Sequence, residues 1–210
     1  MAVQAANPLK RCVWPGIDDP EYTRYHDEEW GVPITDGERL FEKLVLESFQ
    51  SGLSWLTILR KRNNFRKAFM NFDPVKIAAF TPTDVERLMN DAGIVRNRAK
   101  IDATINNAKA YLKITQHDDF AWLVWSHVDH RPSINRPKRM EDLPAQTEQS
   151  KALSKTLKSR GFSFVGPTTM YALMQSCGLV NDHLVSCHRH VACAKLQTSL
   201  VVGTQSAPST

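Results

Sequence analysis

No window of the 210-residue chain approaches the roughly 18 uninterrupted apolar residues that a bilayer-spanning helix needs. Met1 to Arg11 has no apolar run of the signal-peptide kind, so a cytoplasmic protein without membrane association is expected. Cysteine is scarce. Cys12, Cys177, Cys187 and Cys193 are too few to staple a chain of this size, which excludes a disulfide scaffold and leaves burial or metal binding. Sustained apolar–polar alternation between paired turn signals is missing, which argues against a large sheet. There is no internal repeat, and low complexity is confined to the small, polar stretch after about Leu196, which reads as a frayed tail.

Acidic residues are in the minority: 27 Lys and Arg against 22 Asp and Glu leave a net charge of +5. That excess is compatible with nucleic acid without establishing it. Distribution says more. Asp18 to Glu47 is acidic, whereas Arg60 to Lys67, Arg96 to Lys100, Arg136 to Arg139 and Lys151 to Arg160 are basic. Solvated helix faces explain each cluster singly; four of them brought to one face would track a phosphate backbone. With 42% apolar and 23% charged residues, the composition excludes a disordered or collagenous chain and fits one domain, or two closely packed lobes.

The pattern is helical, and the fold class is all-α. Thr35 and Glu38 have capping-box spacing ahead of Leu40, Leu44, Glu47 and Ser51 at helical intervals. Asp73-Pro74 and Thr81-Pro82 each set a capping side chain before a proline suited to a first helical position. Val85, Leu88 and Met89 form a face that stops near Gly93, and Ile101, Ile105, Ala108 and Leu112 predict a helix over Lys100–Lys113. Phe120 to Val128 reads as a short apolar helix carrying Trp122 and Trp125. Asp129 to Gln149, punctuated by Pro132, Pro137 and Pro144, reads as a long irregular connection.

Three constellations carry chemistry. A helix over Ala152–Lys158, the turn Arg160-Gly161-Phe162-Ser163-Phe164-Val165-Gly166 and a helix from Pro167 to Cys177 have the form of a hairpin whose glycines allow close approach to another molecule. The free N–H groups at the start of the second helix suit a phosphate oxygen, although an ordinary helix corner explains the same spacing. His183 and Cys187 would share a face of a helix and offer two soft ligands; Cys12 and His26 are candidates for the other two, against the local set Cys187, His188, His190 and Cys193. Buried thiols and solvated imidazoles are the plain alternative. Trp14, Tyr22, Tyr25 and Trp30 crowd near Glu47, a carboxylate on an apolar stripe, with Trp55 eight residues further on. Aromatics of this density can simply build core. An unpaired carboxylate there is costly unless it meets a buried base or a cationic or donor-bearing ligand. Between them Gly52-Leu53 offers a backbone approach followed by an apolar wedge, or plain packing.

The runs RCVW (Arg11 to Trp14), DPEYTRYHDEEWGVP (Asp19 to Pro33), LFEKLVLESFQSGLSWLTIL (Leu40 to Leu59), NFDPVKIA (Asn71 to Ala78), DAGIVRNRAKI (Asp91 to Ile101) and RGFSFVGPTTMYALMQSCGLVNDH (Arg160 to His183) resemble the 3-methyladenine DNA glycosylase I family. The resemblance implies a helix-hairpin-helix DNA glycosylase fold of two helical lobes with the lesion pocket between them. The glycosylase domain would span 11–195, with 1–10 and 196–210 as flexible tails. It implies one structural Zn²⁺ on Cys12, His26, His183 and Cys187, which leaves His188, His190 and Cys193 outside the site. The base pocket falls on Trp14, Tyr22, Tyr25, Trp30, Glu47 and Trp55, with Glu47 and Tyr25 as catalytic residues. The DNA-contacting residues fall on the wedge, Gly52 and Leu53, and on the hairpin, Gly161, Phe164, Gly166 and Thr168. Ser48 replaces a glycine frequent in the family and is expected to tighten the pocket.

The implied reaction is excision of 3-methyladenine from alkylated double-stranded DNA by a monomeric, monofunctional enzyme that releases the free base. No pocket lysine is expected to attack the sugar, and Asp182 is only a weak candidate for a catalytic aspartate. Two other readings stay open. One is a non-catalytic zinc-stabilised module binding damaged DNA, which has no use for Glu47. The other is a binder of cationic or purine-like small molecules, which is indifferent to DNA and salt.

Overall fold

A computed structural model describes residues 9–200. The described part of the chain runs α1 (Pro20–Glu28), α2 (Gly37–Gln50), α3 (Trp55–Ala68), α4 (Pro74–Ala78), α5 (Pro82–Asn90), α6 (Arg98–Thr115), α7 (Phe120–Trp125), β1 (Ser133–Ile134), α8 (Glu148–Ser159), α9 (Pro167–Ser176), β2 (Val180–Asn181) and α10 (His188–Thr198). The two strands pair in parallel over two residues each, Ser133 with Val180 and Ile134 with Asn181. The expectation of an all-α chain holds with that small exception. No described helix is long and apolar enough to cross a membrane.

Helix starts follow the capping chemistry with one shift. Asp73 caps α4 by accepting from Val75 and Lys76, and at α5 the Asp84 carboxylate accepts from the Thr81 backbone N–H at 2.9 Å. At α2 the cap is Asp36, not Thr35; its carboxylate accepts from Arg39 N at 2.8 Å. The charged side chain one residue closer answers the orphan N–H. Phe120 to Val128 divides into α7 and a 3₁₀ turn, Ser126–Val128, with the Trp125 indole donating to Ile34 O.

α2 is the central element, with Leu40, Phe41, Leu44, Val45, Leu46 and Phe49 fully buried against α3, α6, α7 and α9. A second, smaller apolar cluster gathers Cys12, Tyr25, Trp30, Leu59, Leu184 and Cys187, and Trp55 packs against both clusters. The chain's C-terminal part is tied in further than its composition predicts. α10 runs on to Thr198, and the Gln197 amide, 1% exposed, donates to the carbonyls of Gly31 and Gly178 at 3.2 and 3.0 Å. Most of the expected tails, residues 1–8 and 201–210, lies outside the described residues.

Gly178 ends α9 at φ +73°, and a Cβ there would stand 2.6 Å from Pro33 N and 2.8 Å from Gly31 O. Both neighbours are backbone, so the junction of α9 with the segment leading into α2 admits only glycine. Gly178→Ala is expected to destabilise the fold by at least about 2 kcal/mol, the left-handed backbone cost with the clash added. Thermal unfolding of the two proteins side by side checks this, and an unchanged melting temperature contradicts the packing described.

Candidate active site and metal centre

The six aromatic and acidic residues picked out in the sequence line one cavity of about 200 Å³: Trp14, Tyr22, Tyr25, Trp30, Glu47 and Trp55. The loop before α1 supplies Trp14, α1 supplies Tyr22 and Tyr25, and Trp30 follows α1 directly. Glu47 comes from the last turn of α2 and Trp55 from the first of α3. The rings support one another, Trp14 edge-on to Trp30 at 4.8 Å and Tyr25 tilted on Trp55 at 5.3 Å between centroids. Such contacts hold aromatic walls without filling the space between them.

Glu47 is 4% exposed. Burial pushes its carboxyl up to about 7, against smaller downward pulls from the Lys43 charge and the Ser176 hydroxyl. Burial likewise raises the Tyr22 and Tyr25 phenols, with the Glu47 charge adding to both. A carboxyl poised to change charge near neutrality, in a concave aromatic site, is what recognition of a cationic or donor-bearing ring requires.

Five further residues complete the lining: Gln50, Met140, Leu143, Ala172 and Gln175. Ala172 and Gln175 lie on one face of α9 and were within reach of helical periodicity. Met140 and Leu143 come from the long irregular connection, and nothing local in the sequence ties that segment to the cavity. Lys43 was also missed. Its amine, with no hydrogen-bond partner among the described residues, lies over the Tyr25 ring at 5.0 Å and the Trp55 ring at 5.9 Å. It sits 3.7 Å from Glu29 and is not part of the lining. A lysine four residues before Glu47 on the same apolar stripe was the available signal.

The residues expected to form a wedge lie outside both apolar clusters. Gly52, at φ +83°, has open space where a Cβ would stand, and Leu53 is 39% exposed. Leu53 is thus no part of the apolar core. The loop that carries it is held from behind: the Lys100 amine donates to the carbonyls of Phe49 and Ser51 at 2.8 and 2.6 Å, and the Gln50 amide to that of Leu53 at 2.7 Å. In the hairpin, Gly161, Phe164 and Thr168 are exposed, and Gly166 caps α9. The turn is fixed by Asn107, which bonds both the N–H and the C=O of Ser163, and by Asn106, which donates to Gly161 O.

Three expectations need correction. Lys100, 7% exposed, is spent on the wedge loop, and Arg62 is buried in a two-pronged pair with Glu29. Arg60 meets Asp19 and Arg66 meets Glu42. The Arg60–Lys67 run is thus largely paired internally, and Lys100 is withdrawn from the surface, so neither offers the free charge expected for a backbone. Ser48 does not tighten the pocket; its hydroxyl donates to Leu44 O at 2.8 Å and reaches Phe164 O in the hairpin at 3.1 Å. His183 to Cys187 is not helical: it is a turn, and Cys187 is the N-cap of α10. Asp182 lies outside the aromatic lining, its carboxylate accepting from Tyr171, Gln175 and Asn135.

The turn nevertheless brings together the four residues expected to ligate a metal. Cys12, His26, His183 and Cys187, all buried, offer ligand atoms within 4.8 Å of one another. His183 Nδ1 is 3.6 Å from both sulfurs, and His26 Nε2 is 3.5 Å from Cys187 Sγ. Tetrahedral Zn–S bonds of about 2.3 Å and Zn–N bonds of about 2.0–2.1 Å place S and N about 3.5 Å apart, so the donor set fits a four-ligand cation. The outer imidazole nitrogens are oriented as such ligands need, His26 Nδ1 by Asp27 at 2.8 Å and His183 Nε2 by Trp30 O at 3.1 Å. The local alternative does not assemble. His190 bonds Asn135 O, His188 bonds Lys10 O, and Cys193 lies under Arg189 and Trp30 O.

A carboxyl whose folded pKa exceeds its unfolded value of about 4.3 holds its proton more tightly when folded. Glu47 therefore costs nothing in acid and progressively more as pH rises to about 7. Glu47→Gln removes that cost. The variant is expected to gain about 2–3 kcal/mol over wild type between pH 4.5 and pH 8. Denaturant titration at both pH values measures the gain, and a pH-independent difference contradicts the burial effect.

Comparison with known proteins places this geometry. Residues 14–190 match the methyladenine glycosylase family. The chain is 53% identical over 180 residues, 85% of its length, to DNA-3-methyladenine glycosylase 1 of Escherichia coli K12, covering 96% of that protein. A crystal structure of 3-methyladenine DNA glycosylase I superposes with a TM-score of 0.84 at 51% identity, covering 85% of this chain and 98% of the other. A variant of 3-methyladenine DNA glycosylase I in complex with 3-methyladenine superposes at 0.79 with 40% identity, covering 82% and 94%. With an aromatic cavity over a buried carboxyl, and sequence and backbone agreement along most of its length, the chain belongs to the methyladenine glycosylase family.

Proposed function

We propose that this chain is a monofunctional DNA glycosylase that excises 3-methyladenine from alkylated double-stranded DNA and releases the free base. One observation carries the reading: a carboxyl 4% exposed closes a cavity walled by tryptophan and tyrosine. Adenine methylated at N3 in DNA is cationic and a ready leaving group, so discrimination matters more than activation. The nucleotide is turned out of the stack, which is least costly where stacking is already perturbed. Aromatic faces hold a cationic ring at about 0.5–2 kcal/mol per contact. Glu47 supplies the opposite charge and an acceptor for the exocyclic amine, and Tyr25 braces the base beside it. Unmodified adenine, neutral and firmly bonded, lacks both attractions.

Water is the nucleophile. The absence of lyase chemistry is supported by Lys43, the nearest buried amine, which lies behind the Tyr25 and Trp55 rings rather than in the cavity. Leu53, on a loop braced by Lys100, is the wedge that replaces the extruded base. The α8–α9 hairpin grips the DNA backbone through Gly161, Phe164, Gly166 and Thr168. Cys12, His26, His183 and Cys187 hold a structural Zn²⁺. Four protein ligands leave it no site for water, and it serves by fixing the segment that carries Trp14. The enzyme works as a monomer in the cytoplasm.

Release of free base from methylated duplex DNA tests the reaction, with 3-methyladenine and 7-methylguanine compared together. Release of 3-methyladenine with little 7-methylguanine is expected, falling at least about 100-fold in Glu47→Ala. In the wild type kcat/KM should rise as pH passes through about 7 and Glu47 ionises. Unchanged excision by Glu47→Ala overturns the pocket assignment. No release from folded protein that still binds DNA favours a non-catalytic module. Elemental analysis should give one zinc per chain, lost in Cys187→Ser together with several degrees of melting temperature; a metal-free wild type that melts no lower removes the zinc.

A further inference from the structure

Asp182 is 1% exposed, yet no described cation touches it. Three neutral groups occupy its oxygens instead: Tyr171 Oη at 2.5 Å, Gln175 Nε2 at 2.8 Å and Asn135 Nδ2 at 2.8 Å. The Gln175 atom that faces the Asp182 carboxyl oxygen is the amide nitrogen, which donates to it. That settles the orientation of an amide that is otherwise free to turn over.

The consequence lies on the other side of the same amide. Gln175 is half-buried in the wall of the aromatic cavity, and its carbonyl Oε1 has no hydrogen-bond partner among the described residues. Glu47 lines that cavity too, from α2, which packs directly against α9. Two helices thus each contribute an acceptor to one small space. A ring with an exocyclic amine has two N–H groups to meet two acceptors. A ring with a carbonyl in that place has none, and its oxygen would face acceptor oxygens.

We infer that Asp182 is a positioning residue that locks the Gln175 amide with its carbonyl toward the cavity, and that Gln175 is the second acceptor selecting amine-bearing over carbonyl-bearing bases. The inference rests on the pocket reading above and names its selectivity element.

The test is titration of the folded full-length chain with free 3-methyladenine and with 3-methylhypoxanthine, which carries a carbonyl in the amine's place. Quenching of the cavity tryptophans is the readout, with wild type measured first. Wild type should prefer 3-methyladenine. Gln175→Met should weaken that base about tenfold, equivalent to about 1.4 kcal/mol, and change 3-methylhypoxanthine less than twofold. Asp182→Asn, which frees the amide to present its nitrogen instead, should also narrow the ratio of the two affinities. A merely structural role would lower both affinities together and leave their ratio alone. Equal losses for the two bases in Gln175→Met, or no loss, overturn the proposal, and that arm stands even where Asp182→Asn does not fold. A wild type that binds neither base defeats the pocket reading itself, and this inference with it.

Discussion

Two stretches 171 positions apart meet where Cys12 faces His183, and the cavity is built outward from that junction. Trp14 is two residues from Cys12 and lies edge-on to the His26 ring, while Trp30 lies edge-on to His183 at 4.5 Å. The ligand cluster and the pocket wall are therefore one packed object. The apolar cluster around Cys12, Tyr25 and Trp30 is small, and the four buried donors at its edge come from both ends of the chain in a geometry compatible with a metal that would link them. Arg11, which grips Asp27 behind His26, extends the same arrangement by one more shell.

Within that frame, the carboxyl on α2 works against stability. Its neighbours are a central helix with a fully buried face and a set of aromatic rings, none of which solvates a charge. Lys43 softens the cost from a distance without neutralising it, because Glu29 already claims its amine. The residual mismatch is the sort of local inconsistency that marks a candidate binding site, because a ligand with charge or donors would relieve it.

Much of this was legible because helix chemistry is local. The prolines after Asp73 and Thr81, the stripe from Ile101 to Ala108 and the glycines of the α8–α9 turn all act within a few residues, and the elements they specify are present. Glu47 was legible for the opposite reason, as a residue that violates its own stripe. What escaped depends on tertiary arrangement. His183 and Cys187 converge through a turn rather than a helix face, Met140 and Leu143 reach the cavity from an irregular segment, and the Arg60–Lys67 run loses much of its free charge to partners distant in sequence, Asp19 and Glu29 among them. The Thr35 cap was misplaced by one residue because Asp36 offers the stronger acceptor at nearly the same place. Recognition of the family motifs aligned the four ligands across the chain, which spacing alone left undecided.

Ser48 follows Glu47 directly on α2, and its hydroxyl reaches the Phe164 carbonyl in the hairpin turn. Consecutive residues of one helix thus face the cavity and the turn. A helix is stiff and rises about 1.5 Å per residue, so it behaves as a ruler. The distance from the hairpin turn to the aromatic cavity is set by covalent geometry, not by a loop that can drift. On a polymer of repeating phosphates such a fixed spacing would hold register, where a slip of one nucleotide would present the wrong base to the same walls.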